Sequence, residues 1–205
     1  MAQDEQCPMQ LLQRIRVEPE PTKGSRFIAT AIPITDEQGA KAALGELRAE
    51  MPDATHHCSA WRLATPSLER ANDDGEPGGS AGRPILAQLQ GRNLLNVAVI
   101  VTRYYGGTKL GVGGLVRAYG SAAAAALDAG LTEPYVPKLV LRVVHGYAEA
   151  GDVERALTEG GATELSAEYG SDVRRHVEVA VDREEALRVN IRDATRGRAR
   201  VERID

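Results

Sequence analysis

The twelve residues from Arg103 to Gly114 contain positively charged side chains and several glycines, whose backbone N–H groups are accessible. Both kinds of group bind phosphate and other anions. The sequence of this stretch is Arg-Tyr-Tyr-Gly-Gly-Thr-Lys-Leu-Gly-Val-Gly-Gly. Glycine lacks a Cβ, so a ligand can approach its N–H group closely, and Lys109 adds a mobile charge. The stretch therefore predicts an anion- or partner-binding loop. Glycines that only allow close packing are the alternative.

The elements around this stretch must position it. Residues 96–102 form a continuous apolar run that predicts a buried strand, and Leu115–Leu127 predicts an alanine-rich helix. A strand, a glycine loop and a helix together bring free N–H groups to an anion. The candidate residues are Arg103, Tyr104, Tyr105, Gly106, Gly107, Lys109, Gly111, Gly113, Gly114 and Arg117. The Walker pattern is absent and Gly111–Gly114 is only half of a dinucleotide fingerprint, so no cofactor is predicted.

A second motif, Asp73–Gly82, is an acidic, glycine-rich loop whose candidate recognition residues are Asp73, Asp74, Glu76 and Ser80. Its carboxylates suit a hard divalent cation, but adjacent acids in such a loop more often form a solvated turn. We therefore assign no metal, and we expect this loop and residues 104–114 to converge at one exposed groove.

Two catalytic alternatives are disfavoured. Gly78–Gly82 fits the G-x-S-x-G nucleophile elbow, but a polar loop precedes it instead of a strand, and no His or Asp is placed to complete a triad. His56-His57-Cys58 lacks a second ligand pair for zinc, and neighbouring strand residues point to opposite faces. No catalytic residue is assigned, and the sequence favours a non-enzymatic protein.

The pattern of elements predicts two domains, 1–133 and 138–205, joined by an extended linker at residues 132–137 that contains two prolines. The second domain shows the order β-α-β-β-α-β, which is typical of the ferredoxin-like fold. In its last helix, Arg188, Arg192 and Arg196 are spaced to share one face. This row either contacts RNA phosphate or forms a solvated cationic face.

The overall composition fits a globular protein of the reducing cytosol. The 205 residues are 42% hydrophobic, and the net charge of −4 argues against indiscriminate binding of polyanions. The two cysteines imply no disulfide framework. Neither a signal-peptide core at the N-terminus nor an apolar run long enough to cross a membrane is present, so we expect a cytoplasmic protein without a membrane partner.

The acidic motif and the glycine motif together closely resemble the IMPACT family in its bacterial form. The resemblance covers about residues 15–135 strongly, and the last domain matches mainly by element order. It implies an α+β protein of two domains. The first would be a two-layer α/β domain of the ribosomal-protein type, similar to domain IV of elongation factor G. The second would be a ferredoxin-like domain similar to domain V of that factor.

The resemblance also implies a role in translation. Eukaryotic members regulate translation by competing for an activator of a stress-responsive initiation-factor kinase. We therefore expect a translation-associated regulator whose partner is the ribosome, RNA or a translation-related protein. The alternative is a small-molecule phosphate- or nucleotide-binding protein, or an enzyme, that uses the glycine-rich loop 106–114.

Overall fold

The computed structural model describes residues 7–204 and divides the chain into two compact units between Tyr135 and Val136. The N-terminal residues 1–6, where we looked for a signal-peptide core, lie outside the described residues. The elements of the first unit, in chain order, are β1 Met9–Leu11, β2 Ile15–Val17, β3 Arg26–Pro33, α1 Glu37–Glu50, β4 His56–Leu63, β5 Leu68–Asn72, α2 Gly82–Gly91, β6 Leu94–Leu95, β7 Val97–Tyr104, α3 Val112–Asp128 and β8 Thr132–Pro134.

The main sheet of the first unit has the strand order β2-β3-β7-β4-β5, with antiparallel neighbours throughout. Its central strand β7 contributes to two cores. Val99 lies in the core that contains Ile85 of α2 and Tyr119 of α3, and Ile100 lies in the core that contains Leu47 of α1. Burial on both faces explains the continuous apolar run of β7. The sheet thus has helices on both faces, giving three layers where the family resemblance implies two.

The start of α3 differs from the prediction. The helix begins at Val112 instead of Leu115, so Gly113 and Gly114 lie in its first turn. Gly111 is the N-cap residue with φ of 72°, a left-handed conformation that favours glycine. The glycine loop is therefore shorter than predicted, and its last two glycines carry helical N–H groups.

The predicted linker is partly wrong, because its first half belongs to the first unit. Thr132–Pro134 forms β8, which pairs antiparallel with β1, and β1 also pairs in parallel with β6. The N–H of Tyr135 continues the pairing and donates to the Pro8 carbonyl at 2.7 Å. Only residues 135–137 separate β8 from the next strand.

The second unit confirms the ferredoxin-like prediction. Its elements are β9 Lys138–His145, α4 Ala150–Glu159, β10 Thr163–Tyr169, β11 Val173–Ala180, α5 Glu184–Ala194 and β12 Arg200–Ile204, with 3-10 turns at Tyr147–Glu149 and Val181–Arg183. The antiparallel sheet has the order β10-β11-β9-β12. Leu141 and Val177 of the sheet share a core with Val153 of α4 and Leu187 of α5. Among residues 7–204, no helix is long and apolar enough to cross a membrane.

Candidate functional site

The acidic loop and the glycine loop meet at one open cavity of about 480 Å³, as the sequence predicts. The acidic loop follows β5 and leads into α2, whereas the glycine loop connects β7 to α3. The lining residues come from both loops, the end of β7 and the first turn of α3: Glu76, Pro77, Arg103, Tyr105, Lys109, Leu110, Gly111, Val112 and Leu115. We call this cavity the loop cavity.

An ion pair lies in the wall of the loop cavity. Nη1 of Arg103 donates to Oε1 of Glu76 at 2.5 Å, and these side chains are only 6% and 5% exposed. Nη2 of Arg103 donates to the Ser25 hydroxyl at 3.3 Å. The guanidinium also lies 5.5 Å from the ring centroids of Phe27 and Tyr105. Its buried Nε has no hydrogen-bond acceptor among the described residues, so one donor of this cation remains unused.

Tyr119 of α3 supplies a second donor to Glu76. Its buried hydroxyl donates to Oε1 at 2.8 Å, and its ring packs edge-on against Phe27 with centroids 5.1 Å apart. Burial first, and then interactions with Cys58 and Glu76, raise the pKa of Tyr119 well above the usual value. The phenol therefore stays protonated and acts as a donor. Sequence reasoning did not name Tyr119 among the candidate residues and missed this polar contact.

Asp73 holds the acidic loop in shape and caps α2. Its carboxylate accepts backbone N–H bonds from Gly79 at 2.7 Å, Ala81 at 2.9 Å and Gly82 at 2.8 Å. Burial by itself would raise the pKa of Asp73, but these bonds and the charge of Arg83 outweigh it and lower the pKa below its usual value. α2 has no side-chain cap from its own N-cap residue, so Asp73 supplies the missing acceptor.

Two further predicted site residues, Asp74 and Ser80, do not line the loop cavity. Asp74 accepts the backbone N–H of His57 at 2.6 Å and a guanidinium N–H of Arg48 at 2.5 Å. Ser80 is fully buried and its hydroxyl has no partner among the described residues. Because β5 ends at Asn72, no strand leads directly into Ser80, and the nucleophile-elbow geometry is absent.

The neighbouring His57 and Cys58 are also buried in the scaffold. Nε2 of His57 donates to the Met51 carbonyl at 3.2 Å, and its Nδ1 accepts from the Thr102 hydroxyl at 3.1 Å. Burial is the main reason that the pKa of His57 is lowered, so the imidazole is neutral. Burial also raises the pKa of the Cys58 thiol to about 12, so this thiol is not a nucleophile at neutral pH.

The glycines of the loop fall into two groups. A Cβ on Gly106 would lie 1.9 Å from the carbonyl carbon of Gly24, so this glycine permits close packing of two chain segments. A Cβ on Gly111 would meet no atom within 4 Å, and one on Gly113 would meet only Nη1 of Arg117, at 3.7 Å. Gly111 and Gly113 therefore leave the start of α3 open. Close packing therefore explains Gly106, whereas anion binding at Gly111 and Gly113 stays a prediction.

A second cavity of about 320 Å³ adjoins the first and has Leu110 in its wall as well. Lys23 and Arg117 line the second cavity, and Lys109 lines the loop cavity. Among the described residues these three cations form no ion pair or hydrogen bond. We call Lys23, Lys109 and Arg117 the cationic rim. Lys23 was missed, since a lone lysine before a glycine carries no specific signal.

Tyr104 and the C-terminal arginines depart from the prediction. Tyr104 packs against the α1 core, and its hydroxyl donates to Asp53 at 3.2 Å, so it is not part of the loop cavity. Adjacent β residues point to opposite faces, which separates it from Arg103. The row of Arg188, Arg192 and Arg196 does not form, because α5 ends at Ala194 and Arg196 follows with φ of 54°.

The arginines of α5 also differ in their contacts. Arg188 donates to Glu184 at 3.0 Å and to the Val201 carbonyl at 2.6 Å, so its side chain is tied to its own domain. Arg192 is exposed and pairs with Asp193. Nucleic-acid binding by these arginines stays a prediction. The shared helix face on which that prediction was based is absent.

Family models match both domains of the chain. Residues 23–127 match the Impact N-terminal domain, and residues 143–198 match a domain of unknown function (DUF1949). The first match contains the acidic loop, the glycine loop and the cationic rim. The second match lies within the ferredoxin-like unit.

Whole-chain relatives agree with these matches. The chain is 35% identical over 181 residues to the IMPACT family member YigZ of Escherichia coli, covering 87% of this chain and 89% of that protein. It is 36% identical to the IMPACT family member YvyE of Bacillus subtilis over 73% of this chain and 69% of that one. A crystal structure described as a hypothetical protein superposes with a TM-score of 0.74 at 32% identity, covering 96% of this chain and 97% of that one. The chain belongs to the IMPACT family.

Proposed function

We propose that the protein is a cytoplasmic, non-enzymatic regulator associated with translation, and that it binds RNA or the ribosome through the cationic rim. Family membership supports the translation role, because the resemblance of its motifs implies that role for eukaryotic members. The observation that carries the binding site is the placement of Lys23, Lys109 and Arg117 around the open start of α3. The two free cysteines, Cys7 and Cys58, fit a reducing compartment.

The charge arrangement supports a polyanionic partner. Most other cations of the first unit are neutralised by nearby carboxylates, such as Arg16 by Glu50 and Arg92 by Asp128. Among the described residues the three charges of the cationic rim form no ion pair, although Glu20 also lines the second cavity, and they lie beside the positive end of a helix. Because the net charge of the chain is −4, RNA would bind only at a locally positive surface such as the cationic rim. Contacts from such a surface to phosphates position the RNA.

The chemistry of the candidate nucleophiles supports a non-enzymatic role. Ser80 and Cys58 are both fully buried, and the Cys58 thiol is protonated at neutral pH. The His57 imidazole is also buried and its two nitrogens are occupied by the protein itself. These groups are enclosed by the first unit and offer no reactive atom to a substrate.

Ribosome co-sedimentation across a salt series tests the proposal. We expect association that weakens steeply with salt, because bound phosphates release counterions. The variant Lys23→Ala/Lys109→Ala/Arg117→Ala should bind more weakly, and the slope of log K against log salt should fall by about 2 to 3.

The matched control removes the same net charge elsewhere on the first unit. Arg14→Ala/Lys41→Ala/Arg70→Ala changes exposed residues that make surface ion pairs and, for Arg70, one hydrogen bond to the neighbouring Glu69 carbonyl. If both triple variants associate equally with ribosomes, the cationic rim is not the contact surface. Absence of any salt-dependent association with ribosomes or RNA would overturn the proposed function.

The second candidate function is a small-molecule phosphate- or nucleotide-binding protein, including an enzyme of that type. The volume of the loop cavity, about 480 Å³, favours it, because sites for small ligands commonly have this size. Tight binding of a free nucleotide without ribosome association would support this candidate instead.

A further inference from the structure

We propose that the loop cavity binds one unpaired nucleotide, with its phosphate at the first turn of α3 and its base against Tyr105. The proposal names the chemical group that enters the proposed RNA-binding surface, so it rests on the proposed function. A free nucleoside monophosphate carries the same chemistry. The experiment below separates that source from RNA.

The phosphate position follows from the donors at the start of α3. The first N–H within the helix that bonds a preceding carbonyl is that of Leu115, which donates to Gly111 at 2.9 Å, so the N–H groups of the first turn are free of such bonds. Arg117 lines the adjoining second cavity, and its Nη1 would lie 3.7 Å from a Cβ on Gly113, so the guanidinium reaches the first turn from that side although the positive helix end repels a cation. An anion between them removes this repulsion. Together with Lys109, these donors exceed what the two oxygens of a carboxylate can accept, and they suit a phosphate.

A buried donor independently indicates a ligand in the same cavity. Arg103 lines the loop cavity, its side chain is 6% exposed, and its Nε–H has no acceptor among the described residues. Its other two nitrogens are held by Glu76 and Ser25. Leaving a buried donor without a partner is costly. Nε itself is closed to solvent, so a ligand oxygen in the loop cavity accepts from it only when the guanidinium shifts toward the cavity.

The apolar part of the loop cavity fits a base. Pro77, Leu110, Val112 and Leu115 contribute apolar wall, and the cavity is far larger than a phosphate requires. Tyr105 is 46% exposed, and the Arg103 guanidinium lies over its ring, so the ring is held in place yet accessible. Stacking of a base on an aromatic side chain needs no particular base identity and suits an unpaired nucleotide.

The first experiment titrates the full chain with inorganic phosphate, uridine, uridine 5′-monophosphate and a single-stranded uridine hexamer. Amide chemical shifts are followed in each titration. We expect the monophosphate to shift the amides of Val112–Gly114 and to bind about tenfold more tightly than inorganic phosphate, as stacking of one base provides. Uridine alone should bind more weakly than the monophosphate.

Variants separate the two halves of the site. Tyr105→Ala should abolish the advantage of the monophosphate over inorganic phosphate and leave phosphate binding unchanged. Gly113→Ala should weaken binding of both, because its methyl group covers the first turn. Gly45→Ala in α1 is the matched control, since its methyl group meets no atom within 4 Å and that of Gly113→Ala meets only Nη1 of Arg117, in ordinary contact at 3.7 Å, so neither should lower the melting temperature.

The outcomes distinguish this inference from the proposed function. Monophosphate binding without hexamer or ribosome binding supports the nucleotide site and overturns the RNA role. Hexamer binding that leaves Tyr105 and Val112–Gly114 unshifted supports the RNA role and overturns the nucleotide site. The nucleotide site is also overturned if Gly113→Ala and Gly45→Ala bind alike, or if a phosphate-free oligoglutamate perturbs these amides while the monophosphate does not.

Discussion

The phenol of Tyr119 donates a hydrogen bond of 2.8 Å to the carboxylate of Glu76, across 43 residues of sequence. The same carboxylate oxygen accepts from Arg103. A residue of the acidic loop is thus held between the central strand β7 and the helix α3. The position of Pro77 beside the loop cavity depends on this contact, because Glu76 is the preceding residue.

We predict that Glu76→Gln destabilises the protein by about 3–5 kcal/mol, because the substitution leaves the charge of Arg103 buried and uncompensated. Tyr119→Phe should cost less, about 1–3 kcal/mol, since it removes one hydrogen bond to a charged group and keeps the ring contact with Phe27. Urea unfolding at neutral pH measures both free energies. Glu46→Gln is the control because its pair with Arg14 is exposed, and an equal loss in Glu46→Gln and Glu76→Gln would contradict the prediction.

The carboxylate of Asp73 should make stability depend on pH. Its pKa is lower in the folded protein than the usual value of 3.8, so its contribution is present above that value and is lost as pH falls through the folded pKa. Asp73→Asn should cost about 1–3 kcal/mol at pH 7, and the difference from the unsubstituted protein should shrink below pH 3.8. Urea unfolding at pH 7 and pH 3 checks both statements.

Asp36→Asn provides the matched control for the cap. Asp36 accepts one backbone N–H, from Gly39 at 2.7 Å, and asparagine caps a helix about as well as aspartate. Its substitution should change stability by only a few tenths of a kcal/mol. A similar loss in both variants would mean that Asp73 acts as an ordinary cap and does not organise the acidic loop.

Gly106→Ala should destabilise the protein by about 1–3 kcal/mol or more, because the methyl group forces two backbone segments apart. A Cβ at this position would lie 1.9 Å from the carbonyl carbon of Gly24. Gly45→Ala, in the open interior of α1, should instead stabilise by about 0.5–1 kcal/mol. Thermal and urea unfolding compare the two variants. If Gly106→Ala leaves the free energy of unfolding unchanged, the two backbone segments can separate at no cost.

Local patterns predicted most of the fold correctly. The continuous apolar run predicted β7, and the order of elements predicted the ferredoxin-like unit. The error at the linker has a physical reason, which is that non-local pairing overrides local signals. Thr132–Pro134 carries linker residues but forms β8, because β1 lies beside it and supplies hydrogen bonds.

The site was predictable only in part. The motifs identified both loops, and the structure brings these loops together at Glu76 and Arg103. The motifs could not show that Asp73 and Asp74 face the scaffold, because carboxylates that accept backbone N–H bonds and carboxylates that bind ligands look alike in sequence. The arginine row failed because the end of α5 at Ala194 places Arg196 beyond the helix, with a left-handed φ.

The two thiols should differ sharply in reactivity. Cys7 is exposed, whereas Cys58 is fully buried and its Sγ donates to the Asp73 carbonyl at 3.0 Å. A thiol reagent should modify one group per native chain at pH 8 and two in denaturant, because the thiolate is the reactive form and burial raises the pKa of Cys58 to about 12. A Cys7→Ser variant should therefore show no reaction when native, and raising the pH to 9 should not restore it. Rapid native modification of Cys7→Ser would show that the segment around Cys58 opens readily and that the acidic loop does not protect it.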